Sequence, residues 1–352
     1  MDEALIRIQG AAGRITLNRP RALNALTHDI CLATEAALNA WADDPAVKLV
    51  ILDGAGERAF CAGGDIAQVY HAGRAGDYAL GRNFWRDEYR MNALLAAYPK
   101  PVVSLMHGFV MGGGVGYGCH VRHRVVGEST QMAMPECGIG LIPDVGGTLL
   151  LARAPGRLGL HLGLTGARFG AGDAIHAGFA DHFIPEADWP ALVQALAASG
   201  DTALLAARAQ PAPAAPLAAA QGVIDALYDA PDNHGAACVA SVLERLAQSK
   251  EDWAEAAHKA ILRNSPLSMA STAELIRALD HQDGIQTALT QEFRWTWRSM
   301  DHGDFLEGVR AQIIDKDRSP RWKHAAPGDP TAAEVAAMLA PLGVNELTFE
   351  EE

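Results

Sequence analysis

Val102-Val103-Ser104-Leu105-Met106-His107-Gly108-Phe109-Val110-Met111-Gly112-Gly113-Gly114-Val115-Gly116 is the stretch that decides the fold class. Val102–Met106 is an apolar run of strand length, as expected of a strand covered on both faces. A glycine cluster follows at once and leads into a helix-like segment. Strand, glycine turn and helix in that order point to an α/β protein. Glycines of this kind bring bare backbone N–H groups up to a ligand, because no side chain stands in the way. Amides at a helix start also lie at the positive end of its macrodipole. Two such amides aimed at one carbonyl oxygen form an oxyanion hole, each donor contributing about 3–4 kcal/mol to the transition state. The same glycines serve equally well to let a helix pack closely on a strand.

Working outward, a second cluster of this type, Phe60-Cys61-Ala62-Gly63-Gly64-Asp65-Ile66, follows the apolar run Val47–Leu52. Before it, Ile6–Ile8 and Arg14–Leu17 read as a hairpin-like pair of strands, and Asn18–Arg21 as a turn. Thr27 can cap a helix that carries Ile30, Thr34, Leu38 and Trp41 on one side. Phe84–Leu95 reads as a helix ending before Pro99 and Pro101. On the other side, Val125-Val126 and Met132-Ala133-Met134 read as strands. A short helix reaches Gly178, a left-handed cap, and Asp181–Ile184 follows as a strand. Ala209–Ala220, with Pro211, Pro213 and Pro216 among alanines, reads as a linker. From Asn233 to Trp297 the periodicity is helical, which places a boundary near 190–220. No internal repeat is visible.

Composition limits the function. The chain has 352 residues, 49% hydrophobic and 20% charged, enough to bury a large core and too apolar for a wholly disordered protein. Its 29 basic and 42 acidic residues give a net charge of −13. That balance disfavours nucleic acid and anionic membranes as partners, but leaves room for an anionic small ligand in a local site. No apolar run reaches the ~20 residues that span a bilayer, and Met1–Arg7 lacks the features of a signal peptide. Cys31, Cys61, Cys119, Cys137 and Cys238 are scattered without a CxxC pair, so neither a disulfide framework nor a metal site is expected. A reducing, cytoplasmic setting is the simplest expectation.

Two acids stand out. Met134-Pro135-Glu136 and Ile142-Pro143-Asp144-Val145-Gly146-Gly147 place carboxylates eight residues apart on turns within an apolar stretch. Burial there is costly unless each acid has a partner or a task. Taken alone, Asp144 reads first as an N-cap for a helix through Leu149 and Leu151. Other chemistries find little support. There is no GxSxG elbow and no GxxxxGK[ST] loop. Gly54–Ala59 formally fits GxGxxA, yet Phe60–Gly64 follows where a helix should begin. His120 and His123, near Cys119, lack a second ligand cluster.

Taken together, these motifs resemble the crotonase (enoyl-CoA hydratase/isomerase) superfamily. Asn18-Arg19-Pro20-Arg21-Ala22-Leu23-Asn24-Ala25-Leu26 looks like its opening motif, Phe60–Ile66 and His107–Gly114 like its two oxyanion-hole loops, and Pro135-Glu136 with Gly140–Pro143 like the closing series. Within the superfamily the chain is similar to the 3-hydroxyisobutyryl-CoA hydrolase branch. That likeness rests on the wording of Phe60–Ile66, on Ala133–Glu136 with Pro143–Gly147, and on Asp304–Ala311 with Ile314–Lys323. Enoyl-CoA hydratases usually carry a second glutamate twenty residues ahead of the first; Gly116 stands there in this chain.

The resemblance implies an α/β, crotonase-like (ClpP/crotonase) spiral of ββα units. Residues 1–200 would form the core with the CoA and active sites, and 201–352 a mainly helical region covering the active site. It implies catalysis by Glu136 and Asp144, an oxyanion hole from Gly64 and Gly113, and contact of Glu88 with the acyl group. Arg21, Ala22, Leu23, Ala25, Ala62, Ile66 and Lys316 are the implied CoA contacts. The implied substrate is an acyl-CoA, most simply 3-hydroxyisobutyryl-CoA in valine breakdown, with no metal and no cofactor beyond the CoA of the substrate. An enoyl-CoA hydratase or isomerase and a non-catalytic acyl-CoA binder are the alternatives. Relatives often form trimers, so a homo-oligomer is compatible with the reading.

Overall fold

The computed structural model describes residues 2–230 and 233–349. The first two strands, β1 (Ala4–Gln9) and β2 (Ala12–Leu17), form the expected antiparallel hairpin. The chain then lays down strands in pairs: β3 (Leu49–Gly54) with β4 (Ala59–Cys61), β5 (Val102–Met106) with β6 (Phe109–Met111), and β7 (His123–Val126) with β8 (Gln131–Ala133). Two short strands, β9 (Phe169–Gly170) and β10 (His182–Phe183), complete the set.

The first member of each pair enters one sheet, of order β1-β2-β3-β5-β7-β10, and the second enters another, of order β4-β6-β8-β9. Within the sheets β3, β5 and β7 run parallel to one another, as do β4, β6 and β8, whereas β9 joins β8 antiparallel. The recurring strand–strand–helix turn is the spiral that the sequence led us to expect.

By contact, the residues fall into two compact units. The first holds the chain up to Gly64, Asp87–Ala133 and Arg168–Ala218; the second holds Asp65–Arg86, Met134–Ala167 and the chain from Ala219 on. All ten strands among the described residues lie in the first unit.

One face of its larger sheet presents Leu49, Ile51, Val103, Leu105 and Val125 to Leu192, Val193 and Leu196 of the helix Trp189–Ser199. Each fully buried leucine there contributes about 1.5–3 kcal/mol. The helix His28–Ala42 opens on Thr27, whose hydroxyl accepts the Ile30 amide at 3.3 Å, and buries Ile30, Thr34, Leu38 and Trp41. These are the four residues its periodicity selects.

Among its described residues the second unit is built of helices, and Asn233–Trp297 is helical as its periodicity indicates. Gly235–Gln248 packs along Pro266–Ala278. Leu149, Leu279 and Ala288 form an apolar cluster extended by Ala152 and Ile285. No helix among the described residues is long and apolar enough to cross a membrane.

Candidate active site

In the first unit the opening motif is bound directly to the first glycine loop. Leu23 and Asn24 adopt positive φ angles of 52° and 55°. The chain thereby turns back, so that the Ala62 amide donates to the Leu23 carbonyl at 3.0 Å and the Leu26 amide to the Gly63 carbonyl at 2.9 Å. Asn24, fully buried, locks this arrangement. Its Nδ2 donates to the carbonyls of Ala55 (2.9 Å) and Ala59 (2.8 Å), and its Oδ1 accepts the Arg19 amide at 2.9 Å. Arg21, Ala22, Leu23, Ala25 and Ala62 are therefore brought together, with Arg21 and Ala22 exposed. Ile66 and Lys316 belong to the second unit, where Ile66 opens the helix Ile66–Arg74 and Lys316 is exposed.

The two glycine loops also meet. A Cβ placed on Gly113 would stand 3.2 Å from the Gly64 nitrogen and 2.8 Å from Glu88 Oε1. The space beside both amides therefore exists only while residue 113 lacks a side chain. Gly113 is the first residue of the helix Gly113–Cys119. That helix is fixed by the Ser104 hydroxyl on the Gly118 carbonyl (2.8 Å) and by Thr34 Oγ1 bonded to Tyr117 Oη (3.2 Å).

Glu88, only 2% exposed, comes from the helix Ala79–Ala97. In the first unit this helix is tied to His28–Ala42 by Asp87 on His28 (2.5 Å) and by Arg90 on Glu35 (2.8 Å). The structure thus gathers Gly64, Gly113 and Glu88 in one place. Gly116 is buried in the same short helix.

The carboxylates Glu136 and Asp144 lie in the second unit and are 5% and 4% exposed. Glu136 starts a single turn, Glu136–Ile139, closed by Gly140 at φ 71°. A Cβ on Gly140 would stand 2.4 Å from the Asp304 carbonyl oxygen, so backbone meets backbone there. The Ser265 amide donates to the Cys137 carbonyl at 2.9 Å, and the Ser265 hydroxyl to Asp304 at 2.7 Å. Arg310, bonded to Glu307, Asp315 and Asp317, folds the C-terminal motif into shape. That motif therefore works as a brace for the Glu136 turn.

The structure corrects the expectation that Asp144 caps the following helix. The helix Gly147–Arg153 has Gly146 as its N-cap. The amides of Gly146 (2.7 Å) and Thr148 (3.0 Å) are accepted by Glu292, which is fully buried. Burial pushes the Glu292 carboxyl up to about 8, opposed by its hydrogen bonds to Thr148 and Gly146 and reinforced by the charge of Asp144. Sequence reasoning missed Glu292. The available signal was an acid on the same helical stripe as Ala288, Leu289 and Thr296.

Thiolate chemistry is not favoured. All five cysteines are buried, and burial pushes the thiols of Cys61, Cys119 and Cys137 up to about 12. No three His, Cys, Asp or Glu side chains cluster as metal ligands among the described residues.

A model of the enoyl-CoA hydratase/isomerase family matches residues 12–339. The chain belongs to the enoyl-CoA hydratase/isomerase family. A relative from Gallus gallus, named 3-hydroxyisobutyryl-CoA hydrolase, mitochondrial, is 38% identical over 98% of this chain and 90% of its own length. Among solved structures of the enoyl-CoA hydratase/isomerase fold, an enoyl-CoA hydratase from Rhodobacter sphaeroides is 55% identical, with a TM-score of 0.94 over 99% of this chain and 100% of that one. A carnitinyl-CoA dehydratase from Mycobacterium thermoresistibile is 45% identical, with a TM-score of 0.93 over 100% of both chains.

The expected cytoplasmic setting is overturned by the names of the hydrolase relatives, which are mitochondrial. Scattered, unpaired cysteines argue only for the absence of an oxidising environment, and that condition does not single out one compartment.

Proposed function

We propose that this chain hydrolyses 3-hydroxyacyl-CoA thioesters, and 3-hydroxyisobutyryl-CoA in particular, to the free hydroxy acid and CoA. The observation that carries this reading is the pair of buried acids, Glu136 and Asp144, combined with glycine at 116. A hydratase of this family needs a second carboxylate at that place to position water for addition to a double bond, and glycine has none. The hydrolase named in the relatives is consistent with the same reading.

In this scheme the Gly64 and Gly113 amides donate to the thioester oxygen and stabilise the negative charge that develops on it. Glu88 accepts the hydroxyl of the acyl group. Two routes then use Glu136. As a nucleophile, its carboxylate adds to the carbonyl carbon, the C–S bond breaks, CoA leaves as thiolate, and water cleaves the resulting mixed anhydride. As a general base, it takes a proton from water, whose oxygen adds directly to the same carbon. Asp144 orients the water or the substrate hydroxyl and assists proton movement. Thiolate is a good leaving group, so strong acid assistance is less necessary than for an amide. Single turnover in heavy-oxygen water separates the routes: label found in Glu136 indicates the anhydride.

The second reading, an enoyl-CoA hydratase, draws on the name of the 55% identical structure. A panel of acyl-CoAs decides between the two. Hydrolysis releases free thiol, whereas hydration removes enoyl absorbance and releases none. Negligible thiol release from 3-hydroxyisobutyryl-CoA, with faster turnover of another acyl-CoA, removes the substrate assignment.

A further inference from the structure

The turn Asp144–Gly147 has an unusual shape and an unusual support. Val145 has φ 57°, a conformation that a β-branched residue rarely adopts and keeps only where its surroundings over-determine it. The three amides that follow are accounted for in order. Gly146 donates to Glu292 Oε2 at 2.7 Å, Gly147 to the Asp144 carbonyl at 2.7 Å, and Thr148 to Glu292 Oε1 at 3.0 Å. The Thr148 hydroxyl also bonds Glu292 Oε1. Among the described residues every side-chain hydrogen bond of Glu292 therefore goes to Gly146 and Thr148, although Glu292 sits on the helix Ile285–Ser299, about 145 residues further along the chain.

No lysine or arginine pairs with Glu292 among the described residues. An acid fully buried without a cation is expensive, and an apolar side chain of similar size would pack there at lower cost. What the carboxyl group provides is two oxygens, one for the Gly146 amide and one for the Thr148 amide, that fix the residues directly after Asp144. It also accepts the amides of Gly146 and Thr148, a task that an Asp before a helix ordinarily performs.

We propose that Glu292 is a positioning residue for Asp144, holding the Asp144–Gly147 turn in its working shape from a separate helix. The inference rests on the role given above to Asp144, and the test separates the two. Thiol release is measured for Glu292→Gln, Asp144→Asn and the double variant. Glutamine keeps the size but turns an N–H₂ toward donors, so one acceptor oxygen is lost. The expected result for Glu292→Gln is a kcat at least 30-fold lower with KM changed less than threefold, and less than a twofold further loss when it is added to Asp144→Asn. A folded Glu292→Gln with wild-type kcat overturns the proposal. So does an equal fold-loss in both backgrounds, which is the signature of a purely structural role. Wild-type turnover in Asp144→Asn sinks the role of Asp144 itself. Should Glu292→Gln not fold, Thr148→Val serves in the same cycle: three- to tenfold lower kcat alone and no further loss beside Asp144→Asn, with equal loss in both again overturning the proposal.

Discussion

In the sheet-bearing unit the candidate donors are main-chain amides, Gly64 and Gly113, whereas in the helical unit the candidate reacting groups are side chains, Glu136 and Asp144. The supports differ in the same way. Parallel strands and the buried Asn24 fix the amides through backbone geometry. The acids stand on short turns braced from distant helices: the Glu136 turn meets the main chain of Ser265 and Asp304, whose side chains bond each other, and the Asp144 turn is held by the single side chain of Glu292. A main-chain group cannot be removed by substitution and can only be obstructed. A side-chain group can be removed outright, or disabled by loosening its support.

The largest effect should come from the helical unit. Glu136→Gln is expected to lower kcat about 10³-fold or more with an unchanged far-UV circular dichroism spectrum; turnover near wild type would remove Glu136 from the chemistry. Next comes obstruction in the sheet-bearing unit. Gly113→Ala puts a Cβ 2.8 Å from Glu88 Oε1 and 3.2 Å from the Gly64 nitrogen, and should lower kcat/KM about 10²–10³-fold. If the alanine variant hydrolyses thioesters normally, the main chain is not the donor and the comparison fails.

A smaller change sharpens the contrast by altering choice instead of rate. Glu88→Gln should reduce the preference for 3-hydroxyacyl over unsubstituted acyl-CoA by about tenfold, read as the ratio of kcat/KM values. An unaltered ratio would mean that Glu88 does not meet the hydroxyl.

The smallest effect concerns stability. The Glu292 carboxyl titrates at about 8 in the folded chain and near ~4.3 unfolded. Between those values the folded state holds a proton that the unfolded state has lost. The stabilisation is thus complete below ~4.3 and is lost as pH rises through about 8. Between pH 5 and 9 the Tm of the wild type should fall roughly 2–4 °C further than that of Glu292→Gln. Parallel curves would show that Glu292 contributes nothing through its ionisation.

Much of the fold was legible because its strongest signals are long. The apolar runs ending at Leu52 and Met106 gave the central strands, and Thr27 with its 3–4 spacing gave the first helix. Strands β4, β6 and β9 were missed, being two or three residues long and too short to carry a period. Phe60-Cys61 read as part of a glycine loop although they also close a strand. The candidate amides and acids stood out as motifs. Asn24 and Glu292 did not, because their work consists of holding backbone groups at positions distant in sequence. A capping role for Asp144 was the natural local reading, and only tertiary structure could reassign those amides to a residue on another helix.

The polypeptide leaves one compact unit for the other at Gly64, Arg86, Ala133, Ala167 and Ala218. Each unit is consequently a mosaic of segments, and no single cleavage of the backbone yields two self-sufficient pieces. A cut at Arg86, Ala133 or Ala167 would split both folded bodies at once, and a cut at Gly64 or Ala218 would leave one of them incomplete. Dissecting this chain calls for point substitutions or for paired fragments that reassociate, and a shuffled lineage would have to inherit both bodies together.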